Sequence, residues 1–203
     1  MGRKKLKIVV DMDGVIGNLT EVACARAGVD INKFDRYGLD ANKKLTDAEK
    51  KLIIKEFSDV ECFRETYSKV TNAAIGWLRD LCEEADVTLH SFSWTDDIQQ
   101  FKREWASNRL PFIDEKHLIL EKVHNSELKI AKCDVIVEDR FNNILSTRAK
   151  NHNCVGILVR HHYNERHTVM ECLCNSIMVA GSFEMAMMLA LKIVKDLSYC
   201  GIY

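Results

Sequence analysis

The acidic residues with the most telling spacing lie near the amino end, where Asp11-Met12-Asp13-Gly14-Val15 follows directly on Lys7-Ile8-Val9-Val10. The four preceding residues suit a buried strand, and alternation along an extended chain predicts that Asp11 and Asp13 point the same way. Gly14 allows a sharp turn and a close approach of backbone to ligand. Two carboxylates held at a strand end repel each other; a divalent cation relieves that repulsion, and oxygen ligands suit magnesium. Taken alone, the four residues also read as an Asp/Gly-rich loop after an ordinary strand. Further residues of matching chemistry lie downstream: Ser91 after Val87-Thr88-Leu89-His90, and Glu138-Asp139 after Val135-Ile136-Val137. Lys129 sits ahead of the acidic strand, with Lys132 about one helical turn on. Phosphoryl transfer through an aspartyl-phosphate needs this set. One Asp attacks phosphorus and a second handles the leaving-group proton. A hydroxyl and a Lys hold the phosphate oxygens, and distal carboxylates hold magnesium.

Such a set converges only if the strands run parallel, with their carboxyl ends on one edge. The pattern predicts this. Ala74, Trp77, Leu78, Leu81, Cys82 and Ala85 follow the spacing of an amphipathic helix beginning near Thr71. A strand follows at 87–91, then a helix from about Thr95 to Ser107 with Ile98, Phe101 and Trp105 inward. Strands are predicted at 117–120, 135–137, 155–159 and 175–179. Helices are predicted near Ser126, over Phe141–Asn151, and after Gly181-Ser182 with Met185, Met188, Leu189 and Ile193 inward. Strands alternating with helices imply a parallel sheet covered on both faces, with ligands in the crevice beyond the strand ends.

The stretch after the first strand differs. Gly17 to about Ser68 carries no clear strand signal. Asn18 to Ala27 reads as a helix stopping at Gly28, and Asp30 to Lys44 as a loop. Thr46-Asp47-Ala48-Glu49 is a capping box opening a helix with a Leu52, Ile53, Phe57 stripe. The predicted organisation is a core of 1–16 and 70–203 with a small helical insertion at 17–69. The insertion either lies over the crevice as a lid or pads the sheet edge.

Composition narrows the class. The 203 residues, 47% hydrophobic and 29% charged, fit one well-buried soluble core. A formal net charge of -1 supplies no bulk field for nucleic acid or an acidic membrane. The basic start, Met1-Gly2-Arg3-Lys4-Lys5, precedes an apolar run too short for a signal peptide or a membrane span. Eight cysteines occur without any Cys-x-x-Cys pair, so reduced thiols in the cytoplasm are the expectation. Cys172 and Cys174 with His161, His162 and His167 do not show the wider paired spacing of zinc sites.

The order Asp-x-Asp-Gly-Val, strand-Ser, Lys, strand-Glu-Asp resembles the haloacid dehalogenase superfamily of phosphatases over roughly residues 6 to 160. Within it, Val9 to Val15, the helical insertion, the Phe57 to Thr66 segment and Asp134 to Asp139 resemble the 5'(3')-deoxyribonucleotidase group. The resemblance implies a Rossmann-like three-layer core, a small cap, and magnesium-dependent hydrolysis of a small phosphomonoester, a nucleoside monophosphate first. It implies Asp11 as nucleophile and metal ligand, and Asp13 as general acid and base with its backbone carbonyl on the metal. Ser91 and the amides near Asp13 and Gly14 would hold the phosphate, and Lys129, with Lys132 as the alternative, would neutralise the phosphate and Asp11. Glu138 and Asp139 would complete the metal site, one directly and one through water. Where that group has Thr-Ser-Pro, this chain has Ser91-Phe92-Ser93-Trp94. Phe92 and Trp94 either stack on a base or serve the core. Two rivals stand beside this reading: a phosphatase for sugar phosphates or nucleic-acid 3'-phosphate ends, and a binding protein on the same scaffold.

Overall fold

The computed structural model describes residues 5–36, 38–122, 132–167 and 169–199. The first strand, β1 (Lys7–Asp11), alternates its buried residues and ends in the acidic turn. Three helices follow: α1 (Leu19–Arg26), α2 (Asp47–Phe57) and α3 (Val60–Ser68). Then come α4 (Asn72–Glu84), β2 (Asp86–Ser93), α5 (Asp96–Arg109) and β3 (Leu118–Lys122). The second half runs β4 (Val135–Glu138), α6 (Phe141–Lys150), β5 (Val155–Val159), α7 (Val169–Cys174), β6 (Ile177–Ala180) and α8 (Phe183–Tyr199).

The six strands form one sheet in the order β3-β2-β1-β4-β5-β6. Every pairing is parallel. The apolar residues divide by alternation. Ile8, Val10, Val135, Val137, Ile157 and Val159 face one core, with side chains of α4, α5 and α8. Ile136, Leu158 and Ile177 face a second, with Phe141 and Ile144 of α6 and Cys172 of α7. Two helical layers cover the central parallel sheet, as the alternating pattern predicts, and the arrangement is a Rossmann-like three-layer one. Strand order reverses between β1 and β4, so the crevice for ligands opens beyond Asp11 and Glu138.

Helix starts follow the caps in the sequence. Thr71 Oγ1 accepts from Ala74 N and Thr95 Oγ1 from Ile98 N. The box at α2 is complete: Glu49 N donates to Thr46 Oγ1 at 3.2 Å, and Thr46 N donates to Glu49 Oε2 at 2.8 Å. Lys33 Nζ adds an ion pair at 2.6 Å, and these contacts hold the Glu49 carboxyl down at about 2. The 17–69 segment has its own apolar cluster of Cys24, Val29, Phe34, Leu45 and Ile53, closed by Tyr163.

Several details differ from the sequence reading. Short 3-10 turns at Ile31–Lys33 and Leu39–Ala41 interrupt the predicted loop. Helices α3 and α7 have no counterpart in that reading, and β2 extends through Ser93. Leu52 is exposed while Ile53 is fully buried, so the α2 stripe is narrower than predicted. On α8, Met185 and Met188 are exposed, and Ala186, Met187, Ala190 and Val194 face the core. Apolar residues occupy both registers of that helix, so periodicity offered little contrast between them. The helix predicted at Ser126, with Leu128 and Ile130, lies outside the described residues. No helix among the described residues is long and apolar enough to cross a membrane.

Replacing Thr46 with Ala removes the acceptor for Glu49 N and should lower unfolding free energy by about 1 kcal/mol in denaturant titration. An unchanged midpoint would show that the cap carries no stability.

Candidate active site

The turn after β1 is built by backbone bonds that fold it on itself. Ile16 N and Gly17 N donate to Met12 O at 2.9 and 3.1 Å, and Gly14 N donates to Gly17 O at 2.6 Å. Gly14 takes φ +86°, a conformation that favours glycine. A Cβ there would lie 2.6 Å from Asp139 Cγ and 2.9 Å from the Tyr163 hydroxyl. The position is therefore glycine twice over, for its dihedral and for the closeness of the acidic side chain.

Asp11, Glu138 and Asp139 come together beyond the strand ends. Each is buried, and one carboxylate oxygen from each lies within 4.8 Å of the others. The register explains the meeting: Val10 pairs with Val137, and Asp11 and Glu138 follow one residue on. Glu138 Oε2 accepts from Asn143 Nδ2 at 3.0 Å, while Oε1 accepts from the backbone amides of Asp139 and Arg140 at 3.2 and 3.3 Å. The plainer role of an acid at a helix entry is thus also present, since those amides open α6. Asp139 Oδ2 accepts from the Tyr163 hydroxyl at 2.5 Å. A set of three buried oxygen donors at hard-cation spacing fits magnesium or calcium in ligand chemistry.

Asp13 belongs to a second network. Its Oδ1 accepts from the Tyr67 hydroxyl at 2.8 Å, and its Oδ2 from Ser91 Oγ at 3.0 Å. Lys102 Nζ forms an ion pair with the same Oδ2 and donates to Ser91 Oγ at 2.8 Å and Phe92 O at 2.6 Å. The ammonium also lies 4.9 Å from the centre of the Phe63 ring. Burial, then the charges of Asp13 and Asp11, push the Tyr67 phenol well above its usual range, so it stays a donor. Its ring packs edge-on to Trp105 and Phe101.

The expected residues fare differently. Asp11, Glu138 and Asp139 converge, with Gly14 against Asp139. Ser91 is fully buried and joined to Asp13. The Asp13 carboxylate is not one of the three clustered acids. Lys129 lies outside the described residues. Lys132 is exposed and precedes the amino end of β4, at the sheet edge opposite the carboxylates. Phe92 is half-buried on β2, whereas Trp94 just beyond it is 51% exposed. Cys172 lies in the core and Cys174 is exposed. Burial raises the thiols of Cys24, Cys62 and Cys82 to about 11, 12 and 12, as suits apolar filler.

Three site residues escaped the sequence reading. Lys102 had a visible signal: it stands four residues after Ile98 and three before Trp105, a charge inside an apolar stripe. Tyr67 and Tyr163 had none, because aromatic residues near apolar ones read as core. His161, in the turn after β5, bonds the Gly14 carbonyl through Nε2 at 2.5 Å. Burial lowers the His161 pKa from its ordinary value, and a carbonyl partner requires Nε2 to carry the proton. No family model matches the sequence, and no curated protein matches it significantly.

Gly14→Ala should cost at least about 1 kcal/mol in unfolding free energy, because the added methyl meets Asp139 and the dihedral is strained. A variant as stable as the parent would mean the turn tolerates an L side chain.

Proposed function

We propose that this chain is a phosphomonoester hydrolase of the haloacid dehalogenase type, dependent on a divalent cation, with 17–69 as a small helical cap. The observation that carries the reading is the convergence at one crevice of the Asp11, Glu138 and Asp139 carboxylates with the Asp13, Ser91 and Lys102 network. Either group alone has plainer explanations, as a helix entry or as a buried ion pair. Their adjacency through a single turn, Asp11 to Gly14, matches what in-line attack on phosphorus requires.

In this reading Asp11 attacks phosphorus and the ester oxygen leaves with a proton from Asp13. An aspartyl-phosphate forms on Asp11. Asp13 then takes a proton from water as that water attacks, releasing phosphate and restoring Asp11. Tyr67, Ser91 and Lys102 hold the Asp13 carboxylate in place. In this reading Ser91 and Lys102, beside Asp13, also bind the phosphoryl group, so Lys102 takes the role that the resemblance gave to Lys129. Asp11, Glu138 and Asp139 would hold magnesium, which supplies charge neutralisation between carboxylate and phosphate when bound. Tyr67 comes from α3, and this link to the insertion supports its reading as a cap over the site.

A nucleoside monophosphate is the substrate class we propose first, on the resemblance and on the exposed Trp94 indole, a face on which a base can stack. The neutral net charge disfavours a nucleic-acid end as substrate. A reduced cytoplasmic setting belongs to the same proposal.

The test is phosphate release across nucleotides, sugar phosphates and 3'-phosphorylated oligonucleotides. We expect turnover with magnesium, none in chelator, and none in Asp11→Asn at unchanged fold. Substantial activity in that variant would remove Asp11 as nucleophile. Lys102→Met should lower kcat roughly 100- to 1,000-fold. Near-normal turnover in that variant would return the lysine role to Lys129.

A further inference from the structure

We propose that Tyr163 is a positioning residue that sets the cation affinity of the acidic cluster by holding Asp139 from the turn after β5. The inference rests on reading Asp11, Glu138 and Asp139 as a divalent-cation site.

The phenol is 2% exposed and donates to Asp139 Oδ2 at 2.5 Å. Its ring is gripped on two sides. His161 stacks on it at 5.1 Å with planes 15° apart, and Phe34 of the insertion meets it edge-on at 5.8 Å and 81°. The backbone beneath is equally fixed. Asn164 Nδ2 donates to Asp139 O and to Val159 O, both at 2.8 Å, and His161 N donates to Asn164 Oδ1 at 2.9 Å. One short turn, His161 to Asn164, therefore holds both the carbonyl and the carboxylate of Asp139. The same turn reaches Gly14 O through His161, and Gly14 leaves the space into which Asp139 and the phenol fit.

A side chain this constrained has little work left to do when an ion arrives. The hydrogen bond fixes the rotation of the Asp139 carboxylate, so ordering cost is met in folding rather than in binding. Loss of such a supporting donor typically weakens metal binding 10- to 100-fold. Tyr163→Phe removes only the hydroxyl and keeps the ring between His161 and Phe34.

The experiment is calorimetric titration of Mg2+ into the purified full chain, as the parent, Tyr163→Phe and Asp139→Asn, with melting curves in chelator for each. We expect Tyr163→Phe to melt within about 5 °C of the parent yet bind Mg2+ roughly 10- to 100-fold more weakly. Equal affinity in parent and Tyr163→Phe, with binding lost in Asp139→Asn, would overturn this inference and leave the cation site standing. A parent that binds no divalent ion would overturn both. Should Tyr163→Phe melt far below the parent, Tyr163 is a core residue first and the inference fails.

Discussion

Three carboxylates buried within a few ångströms of one another are the constraint on which the rest of this structure turns. At about 4 Å, two like charges repel by roughly 4 kcal/mol at an effective dielectric of ~20. Three such pairs meet at Asp11, Glu138 and Asp139, each nearly removed from water. The fold nonetheless brings them there through its central strands. Adjacent parallel strands carry Asp11 and Glu138 side by side, and α6 begins immediately after. Amides, Asn143 and Tyr163 donate to these oxygens and hold their directions. A divalent cation is a charged partner that the chemistry of these three oxygen-bearing side chains suits.

Around Asp13 the same physics is solved internally. Lys102 balances the charge from a fully buried position, and Tyr67 and Ser91 complete the acceptor's needs. Removing one member of a buried, hydrogen-bonded ion pair is costly because the other charge stays behind. Two neighbouring acids, two residues apart, thus sit in different environments: Asp11 clusters with the Glu138 and Asp139 carboxylates, and Asp13 pairs with the Lys102 ammonium. That contrast is the physical basis for giving them different roles in the proposed reaction.

Much of the fold was legible in the sequence because its signals are local. Apolar runs marked the strands, and Thr46, Thr71 and Thr95 marked helix starts through caps that the structure contains. Parallel order followed from alternation of strand and helix. The failures have physical causes as well. In α8 a helix apolar on many sides gave no unique inward face, and α7, six residues long, is too short for periodicity to declare it. At the site, residues fixed by strand ends could be read, since topology alone brings them to one edge. Lys102 and Tyr67 reach Asp13 from helix faces, and Tyr163 reaches Asp139 from a turn. Such approaches depend on three-dimensional packing, which no linear spacing encodes. A lysine inside an apolar stripe was the one clue left in plain view.

The most direct test of the central claim is anomalous scattering from crystals of the chain grown with Mn2+ in place of Mg2+. The account predicts one strong peak in the crevice between β1 and β4, within about 2.3 Å of carboxylate oxygens from both Asp11 and Asp139. Well-ordered density for all three acids with no peak between them, at saturating Mn2+, would contradict it.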